Sequence, residues 1–439
     1  MIKRTKSPRI FFGWWTVLTS GIIGLWGYGF QSYGFSALFK PIAAELGFNR
    51  AVTSVAASIG RFEGGFEAPL SGWITDRYGP RWVVLPGIFL AGLGLVLMYY
   101  VNSLWAFYLV WGGLLGTGIN VALGVPLDTT ISNWFVKKRG LALSIKMVFQ
   151  GLSGVAVLPL VAWLITQRGW RETCAIGGVV LWLIGLPLAW LFLKQRRPEY
   201  YGLLPDGATD REKTRDQTRM LERGVQYAAE AQEVEFSLRE ALRTRTYWLL
   251  MVINSVPALV APVMNIHGIP FLTDMGIDPL KAAVMMSIYV GTSVPFRFIG
   301  GVVADRLNIQ RLPWFIGGTF LLQSIGIVIY LLSPSIMTIY VWFVLYGAGM
   351  GLHQPATPLL RARYFGRKAF GSIQGTTTLL MTPIGVLAPI LTGWIYDTRG
   401  SYTMAFIMLA GAFIVTGFLF PILKPPKRPA QIGDVRKIM

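Results

Sequence analysis

Charge is scarce in this chain. Of its 439 residues only 14% are Asp, Glu, Lys or Arg, against roughly 25% in an average soluble domain. A soluble chain of this length would form two or three domains, each needing a charged coat, and there is too little charge to supply one. Cysteine is nearly absent, and the single Cys174 excludes a disulfide scaffold and a thiolate metal centre. Histidine is as rare. His267 and His353 alone argue against a multi-histidine metal site, so no metal and no cofactor is expected. Asn-x-Ser/Thr sequons are missing, which accords with a bacterial inner membrane. What is present is apolar bulk, 53% of residues, too much for a disordered chain. There is also a basic excess, 40 Lys and Arg against 21 Asp and Glu, for a formal charge of +19. Two classes fit that pairing: a polytopic membrane protein or a nucleic-acid binder.

The positions of the bases separate the two. A membrane helix needs about 20 mainly apolar residues, and twelve such stretches are read at 11–38, 51–74, 81–100, 105–135, 141–166, 173–193, 246–272, 280–303, 312–332, 336–360, 370–396 and 402–423. Of the 40 bases, 31 fall in the termini and the loops on the same side, six at most fall on the other, and Arg61, Lys146 and Arg297 lie inside spans. That asymmetry places both termini in the cytoplasm of a multi-pass protein of the cell (inner) membrane, and an even span number agrees. Nucleic-acid binding loses its support, because the basic excess is mostly a topology signal.

Residues 194–245 are the one long polar stretch, with 11 bases and 10 acids. They read as a cytoplasmic linker between an N-terminal bundle, 1–193, and a C-terminal bundle with its tail, 246–439. Phe236 to Arg245 has helical apolar spacing and is expected to lie on the membrane surface. The halves repeat. Gly72-Trp-Ile-Thr-Asp76-Arg77-Tyr-Gly79-Pro-Arg81 is matched by Gly301-Val-Val-Ala-Asp305-Arg306, and Ser144-Ile145 by Ser372-Ile373, at offsets of 229 and 228. Two motifs at one spacing imply a duplicated transporter. The turns holding Asp76, Arg77, Arg81, Asp305 and Arg306 serve either as a conformational latch or as a static brace.

The Gly72–Arg81 turn and its copy resemble the signature of the major facilitator superfamily. The resemblance implies an all-α membrane protein of twelve transmembrane helices in two pseudo-symmetric six-helix bundles around a central cavity. A finer resemblance, to the monocarboxylate and oxalate/formate porter branch, rests on several further stretches. These are Tyr33-Gly34-Phe35-Ser36 through Lys40-Pro41-Ile42, Glu45-Leu46-Gly47-Phe48-Asn49-Arg50, Ser132–Ala142, Gly169-Trp170-Arg171 and Arg197-Pro198-Glu199 through Pro205-Asp206-Gly207. It implies transport of a small organic anion by alternating access, by proton symport or anion exchange. Lys40 falls at the branch's lysine near the outer end of helix 1, and Arg297 at its arginine midway along helix 8. Two departures stand out. Ser293 occupies the place of an aspartate found in some proton-coupled members, and residues 370–396 lack the lysine of oxalate exchangers.

A charge at mid-bilayer costs at least about 2.5–3.5 kcal/mol, so it faces a cavity or a partner. Arg297 can grip a carboxylate through two parallel hydrogen bonds; the alternative is a structural pair with Glu63, Glu67 or Asp128. Lys40 can relay an anion or snorkel. Glu63 and Glu67 share a face of helix 2, from which Arg61 points away. They suit a proton carrier, or else brace helix 11 or cap the cytoplasmic turn. Asp128 and Lys146 can reach each other as a salt bridge or a gating pair. His267 sits near Gly268 and Pro270, where helix 7 is expected to break and a site to form. His353 and Gln354, Asn120 and Tyr346 are further candidates for substrate contact, packing being the alternative for each. The glycines around Gly116 follow no strand, so they read as helix packing rather than a phosphate loop.

These residues describe a secondary active transporter, not an enzyme, whose partners are a small carboxylate, protons and the lipid bilayer, acting as a monomer. Its substrate-binding residues are Arg297, Lys40, His267, Asn120, Tyr346 and Gln354. Its proton-coupling or gating residues are Glu63, Glu67, Asp128, Lys146 and Arg61. The alternative is a proton-driven exporter of amphipathic drugs or metabolites.

Overall fold

The computed structural model describes residues 10–47, 50–208, 217–230 and 234–427; inside its helices the side chains of Lys40 and Arg61, with a few others, lie outside the description. Among the described residues the secondary structure is entirely helical. In hydrocarbon every backbone N–H and C=O must be satisfied within its own segment, which a helix achieves.

Among the described residues twelve long helices follow one another. α1 occupies 12–46, α2 Arg50–Tyr78, α3 Arg81–Tyr100, α4 Leu104–Trp134, and α5 and α6 together Arg139–Phe192. Gly169, at φ 77 and ψ 168, divides the last pair into 139–168 and 170–192. Then follow α7 Arg245–Asp274, α8 Pro279–Arg306, α9 Leu312–Leu332, α10 Ile336–Phe365, α11 Phe370–Arg399 and α12 Thr403–Ile422. The expected spans are therefore found within a few residues, except that α1 continues eight residues beyond its apolar stretch, through Lys40 and Pro41.

The irregularities fall elsewhere than expected. α7 holds Pro257, Pro262 and Pro270 yet runs unbroken. A proline frees one backbone acceptor, and neighbouring helices re-satisfy it. α4 is the interrupted helix. Tyr108–Leu115 is wound as a π-helix, and Gly124, at φ −78 and ψ −101, separates Gly116–Leu123 from Val125–Trp134. Further π-turns lie in α1 at Gly29–Gly34 and in α6 at Leu181–Gly185. Such turns break the regular backbone ladder and often mark functional helices.

The chain divides into two compact units, Met1–Ala231 and Gln232–Met439. The units use matching devices. Thr16 Oγ1 on α1 donates to Phe192 O, the last residue of α6, at 3.0 Å, and Thr246 Oγ1 on α7 donates to Lys424 O after α12 at 3.0 Å. Ser103 caps α4 and Ser335 caps α10, each accepting from the backbone N–H three residues on. Small residues bring helices together in both. Gly60 on α2 meets Gly112 and Gly116 on α4, and Gly347 and Gly351 on α10 lie against the Tyr289 and Ser293 carbonyls of α8.

The described residues of the polar stretch make contacts within each unit. In the first unit Asp206, in the left-handed conformation at φ 60, accepts the backbone N–H groups of Val136, Lys137 and Lys138 and the Tyr227 hydroxyl. The turn before α5 thus forms a nest for its carboxylate. Lys137 lies 4.2 Å over the Tyr227 ring, in the helix Gln217–Glu230. In the second unit the Phe236 N–H donates to Phe365 O at the end of α10, and the Phe236 ring is buried edge-on against Phe365. The short helix Leu238–Leu242 opens with a capping box between Ser237 and Glu240, and the Ser237 N–H and hydroxyl hold the Glu240 carboxyl below its usual range. It packs by Ala241 on its own bundle, against α7 and α11.

Candidate functional site

Arg297 lies midway along α8 and is only 5% exposed. The glycines of α10 set its position. A Cβ at Gly351 would collide with Ser293 O and press on Arg297 N, so α8 and α10 meet backbone to backbone there. His353, two residues on, is 6% exposed and within electrostatic reach of the guanidinium. Its Nδ1 lies 3.0 Å from Gly349 O and 3.4 Å from Gln323 Nε2 of α9, and its ring packs on Phe320 at 4.8 Å. Ser293 is fully buried and donates to Val290 O at 2.7 Å. A turn away Tyr346 is buried with its ring 5.5 Å from Tyr289, whose hydroxyl donates to Asn265 Oδ1 of α7 at 2.7 Å. Gln354 follows His353 and is half-buried. The second unit thus gathers a buried cation, an imidazole, an amide and phenols around α8 and α10. A guanidinium in low dielectric with polar neighbours suits a planar oxyanion.

His267 stands apart from this group. Its Nε2 lies 2.8 Å from Pro389 O of α11 and its Nδ1 3.3 Å from the Tyr402 hydroxyl. With Nε2 protonated both nitrogens are satisfied, and the histidine ties α7 to α11 and α12. The helix break that drew attention to it is absent.

The first unit carries the acids. Glu63 and Glu67 stand one turn apart on α2 and, within the first unit, reach Thr117 and Asn120 of α4. Thr117 Oγ1 donates to Glu63 Oε2 at 3.4 Å, Asn120 Nδ2 donates to Gly60 O at 2.6 Å, and the Asn120 amide covers Gly64 between the two acids. Lys40 lies on α1 and Arg61 on α2, with their side chains outside the described residues. Asp128 and Lys146 do meet. Lys146 Nζ donates to Asp128 Oδ1 at 2.6 Å and to Leu123 O at 3.2 Å, the two residues being 4% and 7% exposed. Leu123 O is the last carbonyl before the break at Gly124, so the lysine caps a helix end inside the bundle as well as pairing with the acid.

The Asp-Arg turns are engaged locally. Arg81 Nε donates to Leu193 O at the end of α6 and stacks 4.9 Å over Trp190, while Arg77 lies over Trp73 and Tyr78. In the second unit Arg363 donates to the Asp305 and Leu307 carbonyls beside Arg306. On the side of the first unit away from the termini, Glu45 accepts from Trp170 Nε1 at 2.6 Å and Arg171 Nε at 2.9 Å. Arg171 also binds Tyr99 O, Val101 O and Asn102 Oδ1. Sequence reasoning gave Glu45, Arg171 and Asp206 no role. The pairing of an acid and an arginine 126 residues apart leaves no trace in spacing, whereas an Asp-Gly pair that tolerates positive φ was a readable signal at Asp206.

Fold and buried charges together define a duplicated twelve-helix membrane protein with polar sites inside its bundles. The Major Facilitator Superfamily model matches residues 21–389, and the chain belongs to that superfamily. It is 26% identical over 419 residues to monocarboxylate transporter 13 of Rattus norvegicus, covering 95% of this chain and 90% of that protein. To monocarboxylate transporter 2 of Homo sapiens it is 24% identical over 429 residues, covering 94% and 85%. Among solved structures, the proton:xylose symporter XylE superposes with a TM-score of 0.73 at 12% identity, covering 95% of this chain and 97% of that one. The human organic anion transporter MFSD10 superposes with a TM-score of 0.68 at 16% identity, covering 94% and 100%. The relatives are transporters, and this chain is a transporter rather than an enzyme.

Proposed function

We propose that the chain is a secondary active transporter of a small monocarboxylate, working by alternating access with Arg297 as the substrate's anchor. One observation carries the reading: a nearly buried arginine halfway along a membrane helix, its charge within reach of a buried histidine. A guanidinium at that depth can grip a carboxylate through two parallel hydrogen bonds, which a lysine in its place cannot. The similarity to monocarboxylate transporters over nearly the whole chain supports the same substrate class. His353 lies in the anchor's neighbourhood on α10, with Gln354 next in the chain and Tyr346 two turns behind. Lys40 attracts the anion on entry. His267 acts as a brace between helices.

Proton coupling falls to Glu63 and Glu67, since Asp128 is already matched by Lys146. Both termini lie in the cytoplasm, as the basic loops require, and the working unit is the monomer. The test is Arg297→Lys, which keeps the charge and loses the planar fork. The variant reaches the membrane at normal abundance and loses most uptake of a labelled monocarboxylate, at least tenfold in initial rate. Near-normal uptake overturns the anchor role.

A further inference from the structure

The part of the molecule that transport leaves unused is the face shared by α3 and α6. A groove of about 650 Å³ runs there, lined by Leu85, Trp182, Leu183, Leu186, Pro187 and Trp190. Its lining is apolar throughout, and Leu183 and Trp190 are 70% and 60% exposed. From Trp182 to Trp190 it extends two helical turns, or about 12 Å along α6. In a membrane helix such a face meets hydrocarbon.

One end of the groove is not apolar. The Arg81 guanidinium lies flat over Trp190, and one of its five N–H groups is spent on Leu193 O. Beside it the turn between α2 and α3 presses on the chain leaving α6. Gly79, at φ 94, sits so close to Gln195 that a Cβ would collide with its carbonyl. Lys194 and Arg196 flank Gln195, so that contact brings their backbone alongside the turn that carries Arg77 and Arg81. Lys194 stacks on Phe12 and Tyr201, and Arg196 on Tyr200. The acids nearby are Asp76, adjoining Arg77, and Glu199, which is buried against Gly224. Positive charge therefore dominates the surface where the groove ends.

We infer that this groove binds an anionic phospholipid, with an acyl chain along Trp182–Trp190 and the phosphate at Arg81, Lys194 and Arg196. An apolar trough ending in bases and aromatic rings selects an amphipathic anion: the lining rejects a soluble one, and the basic end disfavours a zwitterionic headgroup that brings its own cation. The partner differs from any transported substrate in place and in chemistry.

Native mass spectrometry of the full chain, released from detergent carrying equimolar phosphatidylglycerol and phosphatidylcholine with identical acyl chains, tests the assignment. The wild type retains phosphatidylglycerol about tenfold over phosphatidylcholine. Lys194→Gln/Arg196→Gln brings the ratio near unity, and Leu186→Trp, which fills the groove, loses the lipid while melting at the wild-type temperature. Should Leu186→Trp melt early, Leu183→Trp is measured in its place. Excess glycerol 3-phosphate leaves the retained lipid in position. Equal retention of the two lipids, an unchanged ratio in the charge variant, or displacement by glycerol 3-phosphate alone overturns the inference.

Discussion

At Asp128 and Lys146 two residues 18 apart in sequence meet inside a helix bundle at 2.6 Å. A buried pair gains little net stability over an apolar equivalent, but losing one partner strands the other charge at a cost of roughly 3–5 kcal/mol. Asp128→Asn is therefore expected to melt well below the wild type, and Asp128→Asn/Lys146→Met above the single variant. Equal melting of single and double variants would show that the pair is not held as described. The antiparallel run of α4 and α5 made this pair legible in the sequence. The second bond of Lys146, to Leu123 O, was not, because it depends on a backbone break at Gly124 that glycine permits without announcing. His267 shows the converse. Gly268 and Pro270 suggested a broken helix, yet the prolines of α7 are absorbed and the histidine is satisfied by partners 122 and 135 residues away. At Glu63 and Glu67 the prediction concerns coupling. Glu63→Gln/Glu67→Gln is expected to lose the stimulation of uptake by an inward proton gradient while keeping counterflow. Gradient-stimulated uptake that survives would assign the proton elsewhere.

Element boundaries were readable because an apolar run of membrane length has few alternatives, and the spans at 81–100 and 312–332 coincide with α3 and α9. The internal irregularity of α1, α4 and α6 was not, since a π-turn needs no particular residue. The polar stretch 194–245 holds contacts that its composition did not show. Its charges signalled solvent, but Asp206 is drawn into a nest of three backbone N–H groups, and Phe236 is paired with Phe365. Each side of the stretch therefore belongs to a bundle. Asp206→Ala leaves those N–H groups without their acceptor, each loss worth about 1–3 kcal/mol where water cannot replace it. Trypsin is expected to cut within 194–230 several times faster in the variant. An unchanged cleavage rate would mean that the carboxylate does not hold the segment down. Between α8 and α10 the contact is backbone to backbone, so Gly351→Val should abolish transport together with stability, in contrast to Arg297→Lys, which spares folding.

For the molecule as a whole, duplication is the feature that joins sequence to structure. The repeated Asp-Arg turns stand at an offset of 229 residues, and the threonine bonds that close each bundle, from Thr16 and from Thr246, at 230. The chemistry is not duplicated. Acids sit on α2 of one unit, and the buried arginine and its histidine sit on α8 and α10 of the other. In the reading proposed above, the substrate charge and the coupling proton act at separate groups, one in each unit. Counterflow in proteoliposomes measures the claim directly, with the purified wild-type protein, a labelled small monocarboxylate and its neutral amide of equal shape. The account predicts that the carboxylate accumulates against an unlabelled load and that the amide does not. Equal counterflow of the amide, or of an amphipathic cation with the carboxylate left behind, would contradict it.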